Sequence, residues 1–173
     1  MKPESGQAAA NMGGTMMFFV QLPWEQHHVA VEAWRERFKE VHPNKAMGAP
    51  VFSDFTFCHE DPKVAEEVAR KYLTKYYASV IRHYDFDGSH WGDTKGYTAY
   101  QAGAAAIQEI GLDKACEGFV QSQAWGTPDQ IVETWTKRYE LTGDIRPAMA
   151  VSYAGMPFDL VQNSLRLIGE KVA

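Results

Sequence analysis

Short apolar runs alternate with amphipathic helical patterns along this chain, and that alternation limits its fold more than any other feature. Residues 15–20, 51–58 and 147–153 have the composition of buried strands, and a helix-like segment follows each of them. Such alternation favours β-α units and a parallel sheet. Because residues 15–20 form one continuous apolar run, we expect this strand to be buried on both faces.

The helical segments carry clear start signals. Asp61 followed by Pro62 predicts an N-cap and a first helical position. Thr127, Pro128 and Gln130 predict a capping box at the start of a later helix. Two inner faces follow from helical spacing. We expect them to consist of Val64, Val68, Tyr72, Tyr76 and Val80, and of Leu160, Ser164, Leu165, Ile168 and Val172.

The connection between the second and third strands is far longer than one crossover helix requires, which predicts a helical insertion before the last strand. Inside it, residues 85–96 combine turn residues with large aromatic side chains. Two interpretations stay open: a mobile lid over a hydrophobic substrate pocket, or a loop held by its own aromatic residues. The aromatic group is Tyr84, Phe86, His90, Trp91 and Tyr97.

Three parallel strands cannot close a barrel, and an eight-stranded α/β barrel takes about 250 residues. With 173 residues, the chain fits part of such a barrel better than a whole one. Its open strand edges predict that further β-α units precede it or that another chain supplies them. A doubly wound sheet of three strands is the alternative.

The chain opens on Pro3, Glu4, Ser5 and Gly6, a pattern typical of a phosphate-binding turn at a helix start. A Ser hydroxyl beside unsatisfied backbone N–H groups offers an anion a ready site. The alternative is a Ser that only caps the helix.

Charge and hydropathy exclude several classes of partner. Seventeen basic and twenty-two acidic residues give a net charge of −5, and Lys and Arg do not cluster. A nucleic-acid partner or an anionic membrane surface is therefore not expected. With no signal-peptide pattern and no apolar run of about 20 residues, we expect a cytoplasmic protein.

The cysteines, the histidines and one aspartate also yield expectations. Cys58 and Cys116 lie far apart, so we expect buried free thiols rather than a disulfide or a zinc site. The six histidines lack ligand spacing, which predicts surface or capping roles and no metal. Asp54 lies among aromatic residues and is expected to be a structural hydrogen-bonding group or a lumen carboxylate with a perturbed pKa.

Several segments together resemble the carboxyl-terminal half of the bacterial luciferase-like flavin-dependent monooxygenases. They are the Pro3-Glu4-Ser5 turn and residues 15–24, 52–58, 126–131 and 155–157. The resemblance implies that residues 1–173 are the carboxyl-terminal half of a (β/α)8 barrel domain, with its three strands as the sixth to eighth. It also implies reduced FMN, or a deazaflavin, at the carboxyl ends of the strands.

By the same resemblance, Glu4 and Ser5 would contact the FMN phosphate. Ser5 suits a dianion, whereas Glu4 carries the wrong charge and would act through its backbone or by orienting a basic group. The resemblance places the family's basic phosphate ligands and a His close to the flavin ring on the first four strands, which have no counterpart here, so no catalytic residue is assigned.

The resemblance therefore implies an O2-using monooxygenase acting on a small organic substrate, inactive without its amino-terminal half and forming an oligomer or completing a barrel. Two alternatives remain. One is a non-catalytic companion subunit that completes or stabilises a barrel, and the other is a truncated fragment.

Overall fold

The computed structural model describes residues 3–84 and 98–172. The chain order of the elements is α1 (Pro3–Asn11), β1 (Met17–Phe19), α2 (Trp24–Val41), β2 (Val51–Phe55), β3 (Phe57–Cys58), α3 (Pro62–His83), α4 (Thr98–Ile110), α5 (Leu112–Ser122), β4 (Trp125–Gly126), α6 (Pro128–Thr142), β5 (Arg146–Ala150) and α7 (Phe158–Lys171).

The main sheet contains three parallel strands in the order β1–β2–β5. The predicted α/β class with parallel strands, covering helices and a helical insertion before the last strand is confirmed. Sequence reasoning missed a second, two-stranded parallel sheet, in which β3 pairs with β4. It arises because the predicted strand 51–58 is interrupted at Thr56, whose N–H donates to Ala150 O.

Only one face of β1 is covered, so the prediction of a strand buried on both faces is wrong. Phe18 is 1% exposed, whereas its neighbours Met17 and Phe19 are 53% and 61% exposed. Helix α2 packs on the Phe18 side of β1, and successive side chains of a strand point to opposite faces. The Met17 and Phe19 side of β1 is therefore an open face of the sheet.

The covered face holds the first core. Phe18 of β1 stacks on Phe52 of β2 with ring centroids 4.6 Å apart, and Trp34 and Phe38 of α2 close the cluster. Helix α1 lies close against α2, because a Cβ on Gly6 would meet the carbonyl oxygen of Ala30 at 2.9 Å. Gly6 thus sets the position of α1.

A second core lies where the insertion packs beyond β2. Phe57 packs there with Leu73 of α3 and with Phe119 and Val120 of α5. Sequence reasoning missed α5 because Gly111, at φ +83°, ends α4 and precedes α5 with no connecting loop. A third cluster joins β3, α6 and α7 through Cys58, Ile131, Leu167 and Ile168.

The predicted helix starts are confirmed. The Asp61 carboxylate accepts hydrogen bonds from the N–H groups of Lys63 and Val64, and Thr127 and Gln130 form both bonds of a capping box. These caps fix the two helices that flank the insertion.

The predicted inner faces need correction. In α3 the buried residues are Ala65, Ala69, Tyr72, Leu73 and Ile81, so four of the five predicted positions are half-buried flanks. The inner face of α3 is thus shifted by one residue from the predicted row, to Ala65, Ala69, Leu73 and Ile81.

In α7, Leu165 is exposed and Leu167 is buried, so the prediction for Leu165 is wrong. The Ser164 hydroxyl accepts a hydrogen bond from Cys58 N at 2.9 Å, which orients the helix. Because successive helical residues are about 100° apart, Leu165 then points to solvent.

Candidate functional site

The carboxyl ends of the three main strands meet at one edge of the sheet. Because β1, β2 and β5 are parallel, their last residues, Phe19, Phe55 and Ala150, lie at that edge. In α/β proteins with parallel strands, ligands bind at this edge. The candidate site therefore consists of the residues around it.

Helix α1 supplies the predicted cofactor-binding residues. Glu4 and Ser5 are both exposed and lie in its first turn, inside the helix rather than in a turn before it. The first backbone N–H groups of a helix have no intrahelical acceptor, so the Ser5 hydroxyl and neighbouring N–H groups form a donor set suited to a phosphate. The Glu4 carboxylate does not suit one.

The Gln123 carboxamide lies at the carboxyl edge between β1 and β2, a position that sequence reasoning missed. Its Oε1 accepts a hydrogen bond from Phe55 N at 3.0 Å, and its Nε2 donates to Val20 O at 2.7 Å. The residue is buried and directly follows α5. Gln123 therefore attaches the insertion to both strands.

Asp54 on the covered face pairs with Arg138 of α6. Arg138 Nη1 donates to Asp54 Oδ2, and both side chains are almost completely buried. The guanidinium lies 4.6 Å from the ring centroids of both Trp24 and Trp135. Asp54 is thus a structural hydrogen-bonding group, one of the two roles expected from the sequence.

The buried position of Asp54 also changes the pKa of its carboxyl. Burial raises the pKa of its carboxyl to about 6, while the charge and hydrogen bond of Arg138 and the N–H of Ala124 act in the opposite direction. Desolvation outweighs the ion pair here. Sequence reasoning missed Arg138, since no local pattern links it to a residue 84 positions earlier.

Aromatic side chains surround Phe55 at the carboxyl end of β2. Its ring centroid lies 4.2 Å from that of Tyr76 and 5.2 Å from that of Tyr153. Tyr77, beside the predicted inner residue Tyr76, stacks on Phe119 at 4.5 Å. Burial raises the pKa of the Tyr153 hydroxyl, so it stays protonated at neutral pH.

The aromatic group predicted for the insertion is described only in part. Tyr84 is exposed and follows the end of α3. Phe86, His90, Trp91 and Tyr97 lie outside the described residues.

His27 corrects the expectation of surface and capping histidines. Its side chain is 2% exposed, contacts the rings of Phe18, Trp24 and Phe52, and has no hydrogen bond to its ring nitrogens among the described residues. Burial lowers its pKa to about 4, helped by nearby positive charge that includes Arg138. His59 does have the expected capping role, since its Nδ1 accepts from Asp61 N at 3.1 Å.

Metal, thiol and membrane expectations can be compared with the described residues. Among them, no group of three or more His, Cys, Asp or Glu side chains could hold a metal ion. Cys58 and Cys116 are buried and unpaired, and burial raises the pKa of the Cys58 thiol to about 11. Within residues 3–84 and 98–172, none of the helices combines the length and apolar composition that crossing a bilayer would require.

Solved structures with a similar fold are monooxygenases and a flavoprotein. The monooxygenase RslO1 from Streptomyces bottropensis superimposes with a TM-score of 0.63 at 19% identity, over 99% of this chain and 44% of its own. The oxygenating constituent of 3,6-diketocamphane monooxygenase from Pseudomonas putida, a type II Baeyer–Villiger enzyme solved with FMN, gives 0.65 at 19% identity, over 98% and 44%. Flavoprotein 390 gives 0.60 at 9% identity, over 98% and 64%.

The chain therefore spans less than half the length of the two monooxygenases. No curated protein sequence matches it significantly. The sequence model of the luciferase-like monooxygenases, however, matches residues 1–144, which is most of the chain. Together with the parallel strands and the carboxyl-edge site, this match shows that the chain belongs to the luciferase-like monooxygenase family.

Proposed function

We propose that this chain is the carboxyl-terminal part of an FMN-dependent monooxygenase barrel that uses O2 to oxidise a small organic compound. The observation that carries the proposal is the family match to residues 1–144 in a chain that spans 44% of two monooxygenases of the same fold. One of these was solved with FMN. The open face around Met17 and Phe19 agrees with a sheet that forms part of a larger barrel.

In this proposal, the first turn of α1 holds the FMN phosphate. The Ser5 hydroxyl and the first N–H groups of the helix would donate to the phosphate oxygens, and the helix dipole favours a negative charge there. Glu4 would take part only through its backbone or by orienting a basic group. Basic residues that balance the phosphate charge would come from the preceding part of the barrel.

When bound, FMN supplies the redox chemistry with O2, which no amino-acid side chain provides. The residues of this chain would bind the phosphate, fix the edge of the sheet and keep water away from the reaction. The aromatic cluster of Phe55, Tyr76 and Tyr153 is suited to that last role. No proton transfer is assigned to a residue of this chain, so we expect the chain alone to be inactive.

We propose reduced FMN as the reacting form, a deazaflavin as the alternative cofactor, an apolar small molecule as the substrate and the cytoplasm as the compartment. We also propose that the chain functions within a completed barrel or an oligomer.

A non-catalytic companion subunit is the second candidate. It is favoured by the same open face and by the unpaired outer edges of β1 and β5 among the described strands. Such a subunit would complete a barrel without binding FMN itself. Flavin binding through Ser5 therefore separates the two candidates.

The test compares FMN with riboflavin, which lacks the phosphate, by titrating each onto the completed barrel that contains this chain. FMN should bind more tightly, and Ser5→Ala should weaken FMN about 10-fold or more, because hydrogen bonds to charged groups contribute about 1.5 to 3 kcal/mol. Riboflavin binding should not change. Ser79→Ala, at an exposed position of α3, is the matched control and should alter neither ligand.

Equal losses for FMN and riboflavin in Ser5→Ala would exclude a phosphate contact at Ser5. Failure of the wild-type barrel to bind FMN, riboflavin or a deazaflavin would remove the enzyme proposal and favour the companion subunit.

A further inference from the structure

The hydrogen-bond ladder between β1 and β2 breaks its alternation at the carboxyl edge. Val51 N donates to Met16 O at 2.9 Å, and Val20 N donates to Ser53 O at 3.0 Å. In a regular parallel ladder, the next N–H of β2 to pair with β1 lies two residues after Ser53. The next bond would therefore run from Phe55 N to Val20 O. That direct bond is replaced, because both groups bond to Gln123 instead.

The Gln123 carboxamide satisfies both backbone groups at once. Its Oε1 accepts from Phe55 N at 3.0 Å and its Nε2 donates to Val20 O at 2.7 Å. A primary amide offers the same acceptor and donor as a peptide group, so it acts as a rung inserted between the strands. The strands are consequently held one amide group further apart than a direct bond would hold them.

The segment that carries Gln123 is fixed from the other side as well. Gln123 Nε2 also donates to Ser122 Oγ at 2.8 Å, and Ser122 O accepts from Arg138 Nη2 at 2.6 Å. Arg138 is in turn paired with Asp54, the residue before Phe55. Residues 122 and 123 are thus attached to two consecutive positions of β2.

We propose that Gln123 is a positioning residue whose carboxamide sets the spacing of β1 and β2 at the carboxyl edge and couples the insertion to it. Its importance for cofactor binding rests on the proposed function, which places FMN at this edge. The structural part of the inference stands without FMN and is tested separately.

The first experiment is residue-resolved amide hydrogen exchange of Gln123→Leu, which keeps the side-chain volume but removes both hydrogen bonds. The Phe55 amide should exchange about 10-fold faster than in the wild type, as expected for the loss of one hydrogen bond. The Val20 amide, bonded to Ser53 O, should keep its protection and so reports that the sheet is intact. Gln121→Leu is the control, since Gln121 is exposed and bonds to Glu117 on the same helix.

Unchanged exchange at Phe55 in Gln123→Leu would overturn the proposal, because the strands would then pair without the carboxamide. If Gln123→Leu does not fold, the pH dependence of the stability of Gln123→Glu tests the proposal instead. A buried glutamate can accept from Phe55 N when ionised, but it can donate to Val20 O only when protonated. Burial beside a carbonyl should raise its pKa in the folded protein.

Gln123→Glu should therefore have a lower free energy of unfolding than the wild type, and this difference should shrink as the pH falls from 8 to 5. The nearby titratable group Asp54 and the charged Arg138 are present in both proteins, so their effects largely cancel in the difference. A deficit that stays constant or grows on acidification would contradict the proposal.

FMN titration of Gln123→Leu then tests the link to the cofactor, with several-fold weaker binding expected than in Gln121→Leu. Equal FMN affinity in the two variants would remove the link to the cofactor. If the wild type binds no flavin, the proposed function fails, while the exchange result still decides the structural role of Gln123.

Discussion

Arg138 and Asp54 form a buried ion pair that joins α6 to the middle strand of the main sheet. The guanidinium also lies 4.6 Å from the ring centroids of Trp24 and Trp135 and donates to Ser122 O. One side chain therefore links α2, α6, β2 and the end of the insertion. This link holds the elements beside the carboxyl edge in place.

Removing the cation should destabilise the protein strongly. In Arg138→Met, the Asp54 carboxylate stays buried without its partner, and breaking a buried pair in this way costs about 3 to 5 kcal/mol. Urea unfolding followed by circular dichroism measures the loss. Lys137→Met is the control: Lys137 pairs with Glu133 on the surface, and its loss should leave the unfolding midpoint unchanged. Equal midpoints for the two variants would show that the pair does not hold the fold.

The stability of the wild type relative to Asp54→Asn should increase as the pH falls. The pKa of Asp54 is raised from 3.8 to about 6 in the folded protein, so the folded state binds a proton more tightly than the unfolded state. The stabilisation is complete below about pH 4 and is lost as the pH rises through 6, with a total of about 2 to 3 kcal/mol. Denaturation at pH values from 4 to 8 measures it. A difference that shrinks on acidification would contradict this assignment.

His27 should have the opposite pH dependence. Its pKa falls from 6.5 to about 4 on folding, so the stability that its neutral form contributes is present above pH 6.5 and is lost as the pH falls towards 4. His27→Phe removes this titration and keeps an aromatic ring against Phe18 and Phe52. As the pH falls from 7 to 4, the free energy of unfolding of the variant should rise by about 3 kcal/mol relative to that of the wild type. Thermal unfolding measures this difference. A gain that does not depend on pH would exclude a buried neutral imidazole.

The close contact of α1 with α2 should make Gly6 intolerant of a side chain. In Gly6→Ala, the added Cβ would meet Ala30 O at 2.9 Å, so α1 and its Ser5 must shift. We expect a stability loss of about 1 to 3 kcal/mol, as for overpacking in a core. Gly118→Ala in α5 is the matched control, because a Cβ at that position would meet none of the described side chains within 4 Å, and it should stabilise by about 0.5 to 1 kcal/mol. Losses of the same size in both variants would show that α1 does not pack as described.

The elements that local sequence determines were predicted well. The helix starts at Asp61 and Thr127 follow from cap residues within four positions of one another, and the parallel sheet follows from alternating strand and helix patterns. The exposed face of β1 could not be predicted in this way. Residues 16–20 are all apolar, so their pattern does not show which side chains meet a helix.

The groups around the carboxyl edge depend on contacts that are distant in sequence. Gln123 bonds to a residue 103 positions earlier and Arg138 to one 84 positions earlier, so no short-range spacing reveals either contact. The aromatic neighbours of Asp54 predict a structural hydrogen-bonding group or a lumen carboxylate, but they do not reveal its partner Arg138. The contact of Ser5 with a phosphate stays a prediction.

If the open face of β1 is the inner side of a larger barrel, the chain should associate through that face. Phe19 lies on that face and is 61% exposed, while Val29, on the outer side of α2, is 57% exposed. Phe19→Asp and Val29→Asp therefore add the same charge at similar exposure but on different surfaces. Only Phe19→Asp should prevent the apolar open face from being covered by another chain.

Sedimentation of the three proteins over a range of concentrations is the decisive measurement. If the open face belongs to the interior of a larger barrel, the wild type and Val29→Asp should associate as their concentration rises, and Phe19→Asp should remain monomeric. A wild type that stays monomeric at every concentration, or a Phe19→Asp protein that associates as Val29→Asp does, would show that the open face is not the inner side of a larger barrel.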